Sequence, residues 1–349
     1  MANLYDLIDP VELSAFVTQE ATEYELSLDQ SLAGFIPLSP IDGIDYRYET
    51  DPTESYGMAK YRAFDGEPVP LGRSTMIQLM TGQLPPMGAR SMLSEKDRMN
   101  RLRVQGTESD FVDAVFVDAA FHARAIIDRI EMQRGEALNT DAVAIAENGL
   151  NLDAITFGRP GTNNIVAAVP WSDPTADILS DLTTWLRQYR TEHSGQNPAS
   201  IVMSDEIWYN MLRNNAIRDL ALGAVAAAST GSLVNDDQLR NVLSSYRIPP
   251  ITTFDRQITT QADDGTVGGS ARVLPEEALF FMPADEIGSV LMGEPVIPAQ
   301  DAGINQATIP NIVVAAWHEP NTHKMWTKSD AIALTVLGRS ASVYRCEVL

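Results

Sequence analysis

Between residues 109 and 134, apolar side chains fall at Val112, Phe116, Ala119, Ala123, Ile126 and Ile130, alternately four and three positions apart. Residues at those spacings share one face of an α-helix. The pattern therefore predicts a single helix over Ser109–Arg134, 26 residues and so about 39 Å long. Gly135 stands where a left-handed cap would end it. The next two runs, Asp141–Glu147 and Leu150–Phe157, flank Asn148-Gly149. That dipeptide tolerates the two positive φ angles of a tight turn, so a β-hairpin is predicted.

Elsewhere the pattern breaks into shorter pieces. Val11–Thr22 reads as a helix with Asp9 as N-cap and Pro10 in first position. From there to Met92 the chain is rich in Pro and Gly, with strand-like patches at Ile44–Tyr48, Ala59–Phe64 and Thr75–Met80. This stretch is too apolar for disorder and too interrupted for a core. It suggests an extended arm and a long two-stranded loop whose partners lie on another chain. Ser94–Val104 reads as a short basic helix. Asp173 is expected to cap a helix opened by Pro174, with Ile178, Leu179, Leu182, Trp185, Leu186 and Tyr189 inward. A strand at Ile201–Met203 leads into a helix capped at Ser204, with Ile207, Met211 and Leu212 inward. Gly223–Gly231 is small-residue sequence expected to be mobile, and Asn235 opens a helix to Tyr246 that Pro249-Pro250 stops. Strands then dominate: Ile251–Gln257, Arg272–Leu274, Leu279–Met282, Ser289–Met292, Ile312–Trp317, Met325–Val336 and Ser342–Val348.

A length of 349 residues allows two domains, either able to bury a core. The net charge of −22 argues against a general nucleic-acid binder, which needs basic surface to displace counterions. The charge is uneven: residues 1–60 carry twelve acids against Arg47 and Lys60. The basic helix, with Lys96, Arg98, Arg101 and Arg103, has two readings. It is either a solvated face or an electrostatic partner for the acidic first 60 residues, from a neighbouring subunit. Contact with nucleic acid is weaker, since four charges give little affinity at physiological salt. One cysteine, Cys346, allows no internal disulfide. The N-terminus lacks the basic and apolar regions of a signal peptide, and apolar runs such as Ile312–Trp317 are too short to span a membrane. A soluble cytosolic chain is expected.

The sequence holds no phosphate loop, dinucleotide fingerprint, Gly-x-Ser-x-Gly elbow or Cys-x-x-Cys pair. His318-Glu319-Pro320-Asn321-Thr322-His323 is the best metal candidate. Its histidines are five apart with a proline between, which favours a polar hairpin tip over a ligand set. His122 reads as a half-buried packing residue and Cys346 as a structural thiol. No carboxylate spacing singles out an acid/base pair. No catalytic, cofactor-binding or metal residue is assigned, and no cofactor is expected.

Taken in order, these parts resemble the major capsid proteins of tailed phages, in particular the lambda-type major capsid protein E family. The resemblance rests on four stretches: Gly57–Arg73 (GMAKYRAFDGEPVPLGR), Leu84–Arg90 with the short helix at Leu93–Met99, Ala123–Leu138 with its hairpin, and Ile201–Arg218. It implies the α+β Hong Kong 97-type phage capsid fold. The implied layout is an N-terminal arm (1–42), an extended loop (43–92), a peripheral domain with the spine helix (93–170), an axial domain (171–310) and return strands (311–349). It further implies pentamers and hexamers of an icosahedral shell around double-stranded DNA, assembled in the host cytoplasm and resident in the virion. The implied partners are copies of the chain itself, portal and scaffold proteins, a decoration protein where one exists, and packaged DNA contacted non-specifically; no membrane is involved. Subunit-interface candidates are Arg62, Glu67 and Arg73 of the loop, with Lys96, Arg98, Arg101 and Arg103. Some members of the fold join a loop lysine to an asparagine, positions that Lys60 and Asn321 would take here. No carboxylate is assignable as the base, and the lambda-type family is not known for this crosslink. The alternatives are an encapsulin-like cellular shell and, from another class, a metal-dependent hydrolase using His318, Glu319 and His323.

Overall fold

The structure is a computed structural model that describes residues 10–49, 55–56, 60–62, 64–65, 67, 73–74, 79–96, 109–223, 234–262, 265–295, 311–319 and 324–349. Its helices are α1 (Pro10–Ser27), α2 (Ser109–Thr140), α3 (Ile178–Glu192), α4 (Asp205–Arg213), α5 (Asn215–Leu222) and α6 (Asp236–Ser245). The early strands are β1 (Leu38–Pro40), β2 (Asp45–Glu49), β3 (Ser55–Tyr56), β4 (Arg73–Ser74), β5 (Leu79–Gln83) and β6 (Pro86–Leu93). Next come β7 (Ala142–Glu147), β8 (Leu150–Thr156), β9 (Asn164–Val166), β10 (Ser200–Met203), β11 (Ile251–Thr253), β12 (Gln257–Gln261) and β13 (Val267–Arg272). The last are β14 (Ala278–Met282), β15 (Gly288–Met292), β16 (Val313–Glu319), β17 (Lys324–Leu337) and β18 (Tyr344–Glu347).

The chain divides into two compact units, each assembled from separated stretches. The first draws on 1–48, 80–134 and 289–336. Its sheet runs β1-β15-β17-β16, with β6 also paired to the long strand β17. β6 and β16 both run antiparallel to β17, and β1 lies parallel to β15. On α2 the predicted stripe is inward: Ala119, Ala123, Ile126 and Ile130 are buried. Leu13, Val17 and Ala21 of α1, with Leu32 and Ile36 after it, are equally buried.

This last point corrects the expectation for the arm and loop. Residues 10–49 and 79–93 find much of their pairing within their own chain, α1 packing on β16 and Leu38–Pro40 bonding along β15. Pro86–Leu93, read from sequence as loop to Met92 with Leu93 opening the short helix, pairs with eight successive residues of β17, Ile332 back to Met325. Pro86 costs the ladder little because it is the first residue of its strand. Lys60–Arg62, inside the predicted patch Ala59–Phe64, are not strand. Of the predicted basic helix, Glu95 and Lys96 are helical and the rest lies outside the described residues.

The second unit draws on 49–79, 135–288 and 337–349. Its mixed sheet runs β11-β10-β14-β18-β9. The buried face of α3, with Ile178, Leu179, Leu182, Trp185, Leu186 and Tyr189, joins a core that also takes in Ile207, Met211, Leu243, Phe281 and Tyr344. Ser204 and Asn235 cap α4 and α6 as predicted, the latter with a full capping box. The cap of α3 is Asp177, not Asp173. Asp173 instead accepts from the Thr175 amide and hydroxyl at 2.8 Å, an Asx turn ahead of the helix. The predicted mobile stretch Gly223–Gly231 lies outside the described residues after Gly223.

The long helix also ends differently. It runs 32 residues to Thr140, with Gly135 inside it. A Cβ at Gly135 would stand 2.0 Å from the Val273 carbonyl oxygen, so a close approach of backbone, not a cap, requires glycine. The left-handed residue is Asp141, at φ 56°. Its carboxylate accepts from the Arg159 amide at 2.6 Å and from the Ser340 hydroxyl, bonds that glycine would forfeit. The hairpin β7–β8 follows as predicted, with Asn148 and Gly149 both at positive φ.

Candidate functional site

The short ladder β3–β4, which pairs Ser55 with Ser74 and Tyr56 with Arg73, closes a loop. Within it Lys60, Arg62, Asp65 and Glu67 are exposed. So are two aromatic rings, Tyr61 at 106% and Phe64 at 102% of full exposure. Asp65 turns the tip at φ 64°. Each ring would remove about 150–250 Å² from water if fully covered, worth about 1.5–3 kcal/mol before ordering costs. Sequence patterning treated these rings as part of a strand and missed them as exposed anchors; nothing in a Tyr-x-x-Phe spacing distinguishes the two. Of the predicted interface residues, Arg62, Glu67 and Lys96 are exposed. Arg73 sits in the β3–β4 ladder, while Arg98, Arg101 and Arg103 lie outside the described residues. The described candidates fall on two separate segments.

Acids of the N-terminal segment have partners that sequence reasoning did not assign. Arg124 of α2 pairs with Glu20 of α1, its Nε donating at 2.9 Å. The Tyr24 hydroxyl donates to Asp128 at 3.0 Å. Arg134, fully buried, donates from Nη1 to both Glu25 and Glu131 at 2.8 Å. Glu131 in turn accepts the Leu32 amide at 2.6 Å and the Ser31 hydroxyl at 3.3 Å. The signal was in the sequence, as Arg124 and Arg134 inside a helix that also carries six acids. Which carboxylates they face depends on a fold that brings together residues about a hundred positions apart.

Three buried polar groups bear on chemistry. His122 lies between two serine hydroxyls, with Ser91 Oγ at 2.7 Å from Nε2 and Ser329 Oγ at 3.1 Å from Nδ1. Burial holds its pKa below the ordinary value, while Asp118 pulls the other way. The Cys346 thiol, in β18 and fully enclosed, is pushed well up by burial, which suppresses the reactive thiolate. Arg159 donates to the Leu138 carbonyl at 2.6 Å near the end of α2, and burial lowers its pKa to about 10, against the pull of Asp141. Among the described residues no group of three His, Cys, Asp or Glu side chains is placed to hold a metal. His318 pairs through its backbone with Met325, while His323 and Asn321 lie outside the described residues. One open cavity of about 320 Å³ in the second unit is lined by Trp208, Arg240, Ser244 and Pro249 among others. Arg240 stacks over Trp208 there, 4.9 Å from the ring centre. No described helix is long and apolar enough to cross a membrane.

No family model and no curated protein matches this sequence. Solved structures do match along its whole length. A protein assigned as the capsid protein of a prophage of E. coli CFT073 superposes with a TM-score of 0.64 at 13% identity, covering 98% of this chain and 99% of that one. The chain has the Hong Kong 97-type capsid fold. A phage-related protein of Bordetella bronchiseptica RB50 also matches, with a TM-score of 0.52 at 11% identity over 95% of this chain and 96% of that chain.

Proposed function

We propose that this chain is the major capsid protein of a tailed phage, assembling into pentamers and hexamers of an icosahedral shell around double-stranded DNA. The observation that carries this reading is the end-to-end fold match, at TM-score 0.64, to a protein assigned as a prophage capsid protein. The exposed ring pair Tyr61 and Phe64 supports it, since large exposed apolar side chains on a charged loop mark contact surfaces. In this reading residues 1–42 form the arm, 43–92 the extended loop, 93–170 the peripheral domain, 171–310 the axial domain and 311–349 the return strands. Arg62, Glu67, Arg73, Lys96, Arg98, Arg101 and Arg103 lie at subunit contacts. Copies of the chain are the main partner, with portal, scaffold and decoration proteins beside them and packaged DNA touched non-specifically. Assembly takes place in the host cytoplasm and the product resides in the virion; the reading assigns the chain no catalytic step.

Gel filtration and negative-stain microscopy of the purified protein test this directly. Shells or capsomer rings are expected. Lys60, Arg62 and the neighbouring rings offer trypsin and chymotrypsin an exposed target in free subunits, so the same loop should resist cleavage once assembled. A chain that stays monomeric across salt and concentration, or a loop cut equally fast in both forms, would overturn the reading.

A further inference from the structure

We infer that His122 is an acid-sensitive fastener, which holds helix α2 on strands β6 and β17 while neutral and lets the helix loosen when the ring takes a proton. All three residues lie inside the first unit, so the inference does not rest on the assembly reading. Ser91 comes from β6 and Ser329 from β17, and His122 is the α2 side chain that bonds to both. A neutral imidazole has one N–H and one bare nitrogen, so it donates to one serine oxygen and accepts the other serine's hydroxyl proton. That is a complete match. A protonated ring has two donors, which displaces the hydroxyl proton that had been accepted, and neither serine has another acceptor among the described residues. The cation would also sit at a position only 7% exposed.

The charged surroundings do not rescue it. On α2, Asp118 lies one turn back and favours the proton, but burial outweighs it. On the strands, the neighbours of the two serines alternate to the opposite face. Arg90 stands over the Trp326 ring at 5.2 Å, and Lys328 pairs with Asp330 at 2.5 Å. From each strand His122 therefore meets a hydroxyl and no carboxylate. The sign follows. The unfolded ring binds its proton below its ordinary value of 6.5, while the folded ring resists until a lower pH. Stability is thus complete above about pH 6.5 and falls as pH drops through the interval between the two values, by up to a factor of about ten in the opening equilibrium per pH unit.

The test is hydrogen-exchange protection along α2 and β17 in the full-length protein at about pH 7.5 and about pH 5, for wild type and His122→Gln; glutamine keeps a donor and an acceptor but takes no proton at either pH. Wild type should lose protection at the lower pH several times over, and His122→Gln should change less than about twofold. Equal loss in both would overturn the inference. Should His122→Gln fail to fold, imidazole NMR of the wild type decides, because the chain has only four histidines. One ring titrating below 6.5, with its midpoint matching the loss of protection, is expected; four rings titrating at or above 6.5 would overturn it.

Discussion

Replacing Gly135 with alanine should destabilise the protein by about 2 kcal/mol, although alanine is the better helix former. Inside a helix that change ordinarily gains about 1 kcal/mol. Here the new methyl group would lie 2.0 Å from the carbonyl oxygen of Val273 and 2.8 Å from its carbonyl carbon and Cγ1. The oxygen and carbonyl carbon are backbone, so no side-chain rotation relieves them, and the Val273 segment must retreat by roughly 1.4 Å to reach ordinary contact. Overpacking of this kind costs about 1–3 kcal/mol, and backbone against backbone belongs at the upper end. Subtracting the helical gain leaves the stated figure. Urea unfolding of the purified chain, followed by tryptophan fluorescence, measures it against Gly161→Ala, where an added Cβ meets nothing within 4 Å. Gly135→Asn separates packing from capping. A left-handed cap glycine accepts asparagine well, whereas a glycine chosen for close approach accepts it worse than alanine. The reasoning fails if Gly135→Ala equals or exceeds wild-type stability, or if asparagine is the better tolerated of the two.

Deleting residues 1–40 should give insoluble or misfolded protein, because it strips Leu13, Val17, Leu32 and Ile36 from the core and leaves Glu131 and Arg134 short of partners; a soluble product with native circular dichroism would refute this. The double change Tyr61→Ala and Phe64→Ala should leave the melting temperature of free subunits within about 1 °C, since neither ring is covered in the chain, yet raise the concentration needed for assembly. An unchanged assembly threshold by light scattering would remove these rings from the contact. Cys346 should stay unreactive towards a thiol reagent in native protein and react fully in urea, as its depth and raised pKa require; prompt native labelling would contradict the position of β18.

What patterning made legible was whatever depends on neighbours in sequence. The stripe of α2, the inward face of α3, the caps at Ser204 and Asn235 and the Asn148-Gly149 turn each involve residues within four positions or one helical face. What stayed hidden depends on distant partners. Pro86–Leu93 has no strong alternation of its own and becomes a strand because residues 325–332 come alongside. Gly135 looked like a cap because its reason, Val273, is far along the chain. Asp173 and Asp177 are both sound helix caps by type, and only backbone geometry chose between them. At the candidate site, Arg62, Glu67 and Lys96 were found as charges on exposed segments, while the larger apolar contribution of Tyr61 and Phe64 was absorbed into a strand pattern that does not form. His122 was read as packing, which its burial supports, but its two serines could not be read from the sequence.

The order of strands in the two sheets also sets when this chain can become sticky. β17, the backbone of the first sheet, and β18, next to the edge strand of the second, come last among the described strands. A ribosome that has released only the first three hundred or so residues holds β6 without β17, and leaves β15 and β14 each paired on one side only, by β1 and β10. Neither sheet can close until residues 324–347 have emerged, and folding must wait on contacts of very long loop length. Chains interrupted before residue 324 thus lack both finished sheets.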